Sequence, residues 1–142
     1  MTDDSNDFKV VDFLTFGLVS SIKFYSKPKE EHIQRVTKVA TKLGLSKLLD
    51  KNMNEISGGE KQMVLISTVV IQNTPIIILD EPVSALDLNN QYIVLSLLKK
   101  LKNEGKTIVL TLHNPNICLY LDFDVLIINE HEIYKRREAN IN

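Results

Sequence analysis

The spacing of apolar residues changes near residue 55. Before that point it is helical throughout. Val10, Phe13 and Leu14 fall on one helical face, and Gly17 is a natural end for that helix. Pro28 could open a second helix over about 29–43, with Ile33, Val36, Ala40 and Leu43 as its apolar stripe. Gly44 then suits the position just past its end, and Ser46 is placed to cap a short helical turn through Leu49. After residue 55 the pattern alternates. An apolar helix is predicted over about 60–72, ended by Pro75. Ile76-Ile77-Ile78-Leu79 follows, a run that reads as a strand buried on both faces. Asp87 caps a predicted helix over 88–103 with the stripe Ile93, Val94, Leu97, Leu98 and Leu101, and Gly105 closes it. Ile108 to Leu112 is a second buried strand. Asn114 and Pro115 start a short helix to about Leu121. Val125 to Ile128 is a third strand, and Ile133 and Tyr134 begin a hairpin return after a turn at Asn129, Glu130 and His131.

Strand, helix, strand, helix, strand is the order of an α/β fold with a parallel sheet. The expected organisation is a disordered leader over 1–7, a helical subdomain over 8–55 and an α/β core over 56–142. No internal repeat, low-complexity tract or sustained heptad occurs.

Composition narrows the function classes only a little. Apolar residues are 44% and charged residues 25%, ordinary for a globular protein. A formal net charge of −1 gives no electrostatic case for a nucleic-acid partner. The basic run Lys135, Arg136 and Arg137 reads as a solvated tail. Cys118 has no second cysteine to pair with and sits among Ile117, Leu119 and Leu121, so it reads as a buried, inert thiol. The acidic start, MTDDSND, does not resemble a signal peptide. The longest apolar stretch, Met63 to Ile71, is too short to span a bilayer. A membrane role would come through a partner.

Four short segments carry chemistry. In Ser57-Gly58-Gly59-Glu60-Lys61-Gln62 the glycines let backbone approach a ligand, and the following helix offers free N–H groups and the positive end of its dipole. A serine hydroxyl adds a donor, making half of a phosphate site. Taken alone, a plain helix N-cap is the stronger reading. Asp80 ends the first buried strand, the side on which open α/β sheets place ligands, and one carboxylate there can hold magnesium. Glu81 points the other way on an extended chain and could orient or deprotonate a water. Two solvated acids at a strand end are an equal reading. Asp87 in Ser84-Ala85-Leu86-Asp87 suffices as a helix N-cap. His113 ends the second strand on the same side, where a satisfied structural histidine is commoner than a ligand.

Their order changes this balance. The chain resembles the nucleotide-binding subunits of ABC transporters across roughly residues 9–137. The family's signature loop matches Ile56 to Gln62, its Walker B strand and catalytic glutamate match Ile76 to Glu81, its D-loop matches Ser84 to Asp87, and its switch histidine matches His113. Asp12-Phe13-Leu14, Gly17, the run Glu55 to Ile66 and His113-Asn114-Pro115-Asn116 look like iron-siderophore and vitamin B12 importers. The resemblance implies a P-loop NTPase core of the ABC ATPase type preceded by a helical subdomain. It implies ATP and Mg2+ as cofactors, with Glu81 and His113 catalytic and Asp80 on the metal. Ser57, Gly58, Gly59, Glu60, Gln62 and Asp87 would contact nucleotide. Membrane-spanning permease subunits and a second, head-to-tail ATPase subunit are the implied partners, at the cytoplasmic face of the membrane. The aromatics of 8–25 either face that permease or fill the subdomain's own core.

The pattern Gly-x-x-x-x-Gly-Lys-[Ser/Thr] is missing. Gly105-Lys106-Thr107 imitates its end, but Lys100 stands where the first glycine belongs, and Gly105 follows a helix and precedes a strand. The family's adenine-contacting aromatic and Q-loop have no counterpart before Phe8. The expectation is a truncated subunit, inactive alone, able to give its signature side to an intact partner. The family's P-loop strand lies beside the strand ending in His113, so its absence predicts a gap or open edge there. Ser67-Thr68, Val83 and the glycine-free turn at 129–131 depart from the family pattern without removing a reacting group. Alternatives are a non-catalytic half-subunit, a gene remnant, or an SMC-like ATPase head. Pro82 and the lack of a heptad-bearing arm before residue 55 disfavour the last.

Overall fold

The computed structural model describes residues 8–18, 29–129 and 132–136. Helix α1 is Val10–Phe16, and α2 is Glu30–Lys42. A 3₁₀ turn, Ser46–Leu48, leads toward α3, Gly58–Gln72. Strand β1, Ile76–Leu79, is followed by α4, Leu88–Asn103, and by β2, Thr107–Leu110. Helix α5, Pro115–Leu121, precedes β3, Val125–Asn129, and β4, Glu132–Arg136.

The ends of the helices follow their local chemistry. Asp87 accepts the Asn90 N–H at 2.8 Å and starts α4, as expected. Asn114 Oδ1 accepts the Asn116 N–H at 3.0 Å ahead of α5. Gly44 and Gly105 take left-handed φ values of 74° and 88° just past α2 and α4, a conformation glycine adopts without penalty. Helix α3 begins earlier than expected, at Gly58, and it ends on Asn73 rather than on Pro75. Asn73 sits in the left-handed region at φ 57°, where its short amide side chain is tolerated. Ser46 does not cap: it is the first residue of its turn, and its hydroxyl donates to Thr41 Oγ1.

One apolar cluster joins the helical part to the α/β part without a break. It runs from Val10, Leu14 and Leu18 through Val64 and Ile71 to Val94, Leu98 and Leu121, all fully buried or nearly so. Burying each such side chain contributes about 1.5–3 kcal/mol. Helix α3 is the hub and packs on α1, α2 and α4. The contact with α1 is close: a Cβ on Gly17 would stand 2.6 Å from the Thr68 carbonyl oxygen. Ser67, buried in this core, is satisfied by its own helix, its hydroxyl donating to the Met63 carbonyl at 2.7 Å. Of the predicted α2 stripe, Val36, Ala40 and Leu43 are buried, but Ile33 faces out. Phe13 packs on the core, while Phe8 and Phe16 stay half exposed and meet edge to face at 5.5 Å. Phe24 lies outside the described residues. Cys118 is partly, not fully, buried.

The sheet corrects the expectation of strands covered on both faces. β1 and β2 are parallel, with Ile76 opposite Thr107 and Ile78 opposite Val109. Ile77 is buried, but Ile76, Ile78 and Val109 on the other face are 57%, 75% and 55% exposed. Nothing among the described residues covers that face. β3 does not join this sheet; it pairs antiparallel with β4, Ile128 opposite Ile133. Among the described residues no strand pairs with the second edge of β2.

Candidate functional site

The site forms where β1 and β2 end side by side. Parallel pairing brings the residues just beyond Leu79 and Leu110 together, and the Thr111 N–H donates to the Leu79 carbonyl at 3.1 Å. Thr111 then uses its hydroxyl twice. It donates to the Asp80 carboxylate and accepts the Glu81 N–H at 3.0 Å. His113 Nε2 lies 2.5 Å from Glu81 Oε1. Asp80, Glu81 and His113 are therefore gathered into one constellation, with Thr111 as the bracket between them.

Glu81 departs from the expected extended backbone. Its φ is +44°, a left-handed value unusual for a side chain this long. The turn is held by Thr111 on its N–H and by Ser84, whose hydroxyl donates to its carbonyl at 3.1 Å. Such a conformation costs on the order of 1–3 kcal/mol and survives when its surroundings fix it. It swings the carboxylate onto His113. Both side chains line a cleft of about 130 Å³ with Ser84, Gln91, Asn114 and Ile117.

The glycine turn carries the helix N-cap that its residues, taken alone, favour. Ser57 is the N-cap of α3: its hydroxyl accepts the Glu60 N–H at 3.3 Å, and Glu60 Oε2 accepts the Ser57 N–H at 2.7 Å. The Ser57 N–H donated to its carboxylate, and after it the Ser57 side chain, hold the Glu60 carboxyl below its ordinary value, with Lys51 adding a smaller pull. Gly58 has open space where a Cβ would stand, so its backbone is approachable. At Gly59 a Cβ would lie 3.2 Å from the Ala85 carbonyl, so this glycine serves contact with the loop after Glu81. Gln62 spans the same gap, its amide donating to the Pro82 carbonyl at 3.2 Å. Asp87 serves α4 as N-cap. The loop over 82–87 thus connects the glycine turn to the carboxylate pair.

Gly105-Lys106-Thr107 forms no phosphate loop. Gly105 lies past the end of α4, Lys106 Nζ donates to the Thr74 carbonyl at 2.7 Å, and Thr107 begins β2. Two site residues escaped the sequence reading. Thr111 could have been found, because it stands two residues before His113 and shares its side of an extended chain. Gln91, whose amide donates to the Val83 and Leu86 carbonyls, left no such signal.

The donor set fits magnesium only as a partial site. Asp80 offers one carboxylate, and no group of three or more His, Cys, Asp or Glu gathers among the described residues. Mg2+ is commonly held by one or two carboxylates completed by water and substrate phosphates. No described helix is long and apolar enough to cross a membrane.

The ABC transporter family matches residues 4–84. An iron chelatin transport ATP-binding protein of Helicobacter pylori is 33% identical over 95% of this chain and 53% of its own length. The molybdate import ATP-binding protein MolC of Haemophilus influenzae is 34% identical over 94% and 53%. Among solved structures, a metal-chelate type ABC transporter in an inward-facing conformation superposes with a TM-score of 0.81 at 31% identity, covering 96% of this chain and 55% of that one. A dimeric ATP-binding cassette bound to ADP and Pi gives 0.76 at 25%, covering 93% and 59%. The chain spans about half the length of the curated relatives it matches. A family match across most of the helical part, and a shared backbone reaching through the Glu81–His113 pair, agree on one conclusion: this chain belongs to the ABC transporter ATP-binding family.

Proposed function

We propose that this chain forms the signature side and the carboxylate–histidine side of an ATPase that drives import of an iron complex or similar metal chelate. The observation that carries this reading is the 2.5 Å contact between Glu81 and His113 at adjacent parallel strand ends, with Asp80 bracketed by Thr111. In this reading Glu81 takes the proton of the attacking water, and His113 orients Glu81 and reaches the terminal phosphate. Asp80 would hold Mg2+, directly or through water, and the ion's charge would offset that of the phosphates. Ser57 and the Gly58 amide would meet the nucleotide of a second, head-to-tail subunit. The 142 residues contain no P-loop pattern, so the phosphate cradle of a complete site would come from sequence beyond them. The metal-chelate assignment draws on the relatives' names, and permease subunits would be the membrane partners.

The test joins this chain to P-loop-bearing sequence and substitutes Glu81→Gln. Loss of turnover with ATP binding retained is expected. Unchanged turnover would remove Glu81 from the role. The second reading, a non-catalytic half-subunit, is favoured by the single carboxylate Asp80 at an exposed site. It predicts co-purification with an intact ATPase whose rate is indifferent to Glu81→Gln.

A further inference from the structure

A groove of about 310 Å³ opens between α2, the end of α3 and the second half of α4, a part of the molecule the nucleotide reading does not use. Its floor is apolar: Val39, Leu43, Val70, Leu97 and Leu101. Its rim is basic: Arg35, Lys38, Lys42 and Lys100. One carboxylate, Glu104, faces these four cations, and it already lies 3.7 Å from Lys100. Arg35, Lys38 and Lys42 make no ion pair among the described residues. Lys42 and Lys100 occupy last turns, where helix carbonyl ends attract cations. Arg35 and Lys38 stand in the middle turns of α2, where that explanation does not reach. They recur with Lys42 at helical spacing, so all three project along one side of α2 toward the groove.

An apolar floor flanked by three unpaired cations, Arg35, Lys38 and Lys42, selects a ligand with both characters. The volume sits near the lower end of the range for small-molecule sites. We infer that this groove binds a soluble organic anion: an apolar body of one or two rings, or a short branched chain, carrying a phosphate, sulfonate or carboxylate head. The body lies on Val39, Leu43 and Leu97, and the head meets Arg35, Lys38 and Lys42. A charge-assisted contact is stronger than a neutral one.

The test titrates the purified chain with 8-anilinonaphthalene-1-sulfonate, an apolar ring system with a sulfonate. Three proteins are compared: the unmodified chain, Lys38→Glu/Lys42→Glu in the groove, and Ile78→Thr/Val109→Thr on the exposed sheet face. The groove substitutions should weaken binding at least about tenfold, and the sheet substitutions should leave a tight class of site intact. Lys38→Gln/Lys42→Gln, which only neutralises, should fall between, and guards against a charge-reversed chain that fails to fold. Uncharged N-phenyl-1-naphthylamine should bind the unmodified and groove-substituted chains alike. Equal sulfonate binding by the unmodified and Gln-substituted chains overturns the proposal. So does loss of the tight site through the sheet substitutions alone. Pelleting with phosphatidylglycerol vesicles, abolished by the groove substitutions, would make the surface a membrane contact and overturn the small-molecule assignment.

Discussion

Nε2 of His113 and Oε1 of Glu81 meet at 2.5 Å although 31 residues separate them in sequence, because each stands just beyond one of two parallel strands paired in register. A parallel pair needs a crossover, here α4, and that crossover returns the chain to the same end of the sheet. Thr111 then sets the detail, its hydroxyl bracketing the Asp80 carboxylate and the Glu81 amide. The contact is a product of strand register first and of side-chain choice second.

The left-handed backbone of Glu81 can be separated from its side chain. Glu81→Ala and Glu81→Gly both remove the contact with His113, but only glycine relieves a φ of +44°. The Gly variant should be more stable than the Ala variant by about 1 kcal/mol. Denaturant titration of the two measures this. Equal stabilities would mean that the turn relaxes when the side chain is gone.

Gly17 is required by packing, not by φ. A Cβ there would stand 2.6 Å from the Thr68 carbonyl oxygen and about 3.0 Å from Ile71. The obstacle is helix backbone, which cannot step aside as a side-chain tip can. Gly17→Ala should therefore cost about 1–3 kcal/mol by forcing α1 away from α3. A thermal melt unchanged from the parent chain would show that this helix contact has slack.

Much of the fold was legible because it rests on local chemistry. Asp87 marks the first residue before α4, Asn114-Pro115 opens α5, and Gly44 and Gly105 close their helices, each through a cap or a φ that one residue determines. Strand burial was not legible. Ile76 to Leu79 has the composition of a strand covered twice, yet Ile76 and Ile78 are exposed. Composition records what a strand is suited to meet; whether a neighbour is present is a tertiary fact. The site divides the same way. The sequence placed Asp80, Glu81 and His113 at neighbouring strand ends and only the family resemblance gave them roles, whereas the turn at Glu81 depends on a hydroxyl 30 residues away, a distance no periodicity reports.

The capping box at α3 gives the glycine turn a pH dependence. Glu60 accepts the Ser57 N–H as a carboxylate, and this holds its folded-state value below the ordinary one. A depressed carboxyl stabilises the fold above its unfolded-state value, and the contribution is lost as pH falls through the folded-state value. Glu60→Ala should thus lower the melting temperature at pH 7. The gap to the parent chain should narrow once pH drops below the ordinary glutamate value near 4.5. A gap that stays constant from pH 7 to pH 3 would show that the carboxylate charge plays no part in the cap.

The uncovered sheet face offers the sharpest reading of how this chain behaves in solution. Ile78 and Val109 sit opposite one another in the β1–β2 register and are both largely exposed. If they are exposed in solution too, replacing them removes little packing. Threonine keeps the β-branched shape that suits a strand. Ile78→Thr/Val109→Thr should then change unfolding free energy by less than about 0.5 kcal/mol. It should also reduce self-association, since an apolar face beside an open strand edge favours contact between chains. Sedimentation velocity and denaturant titration on the same samples measure both quantities. A loss of more than about 2 kcal/mol would match the burial of an isoleucine side chain. That outcome would mean that the face is covered in solution and that the chain's own core does not end where β1 and β2 do.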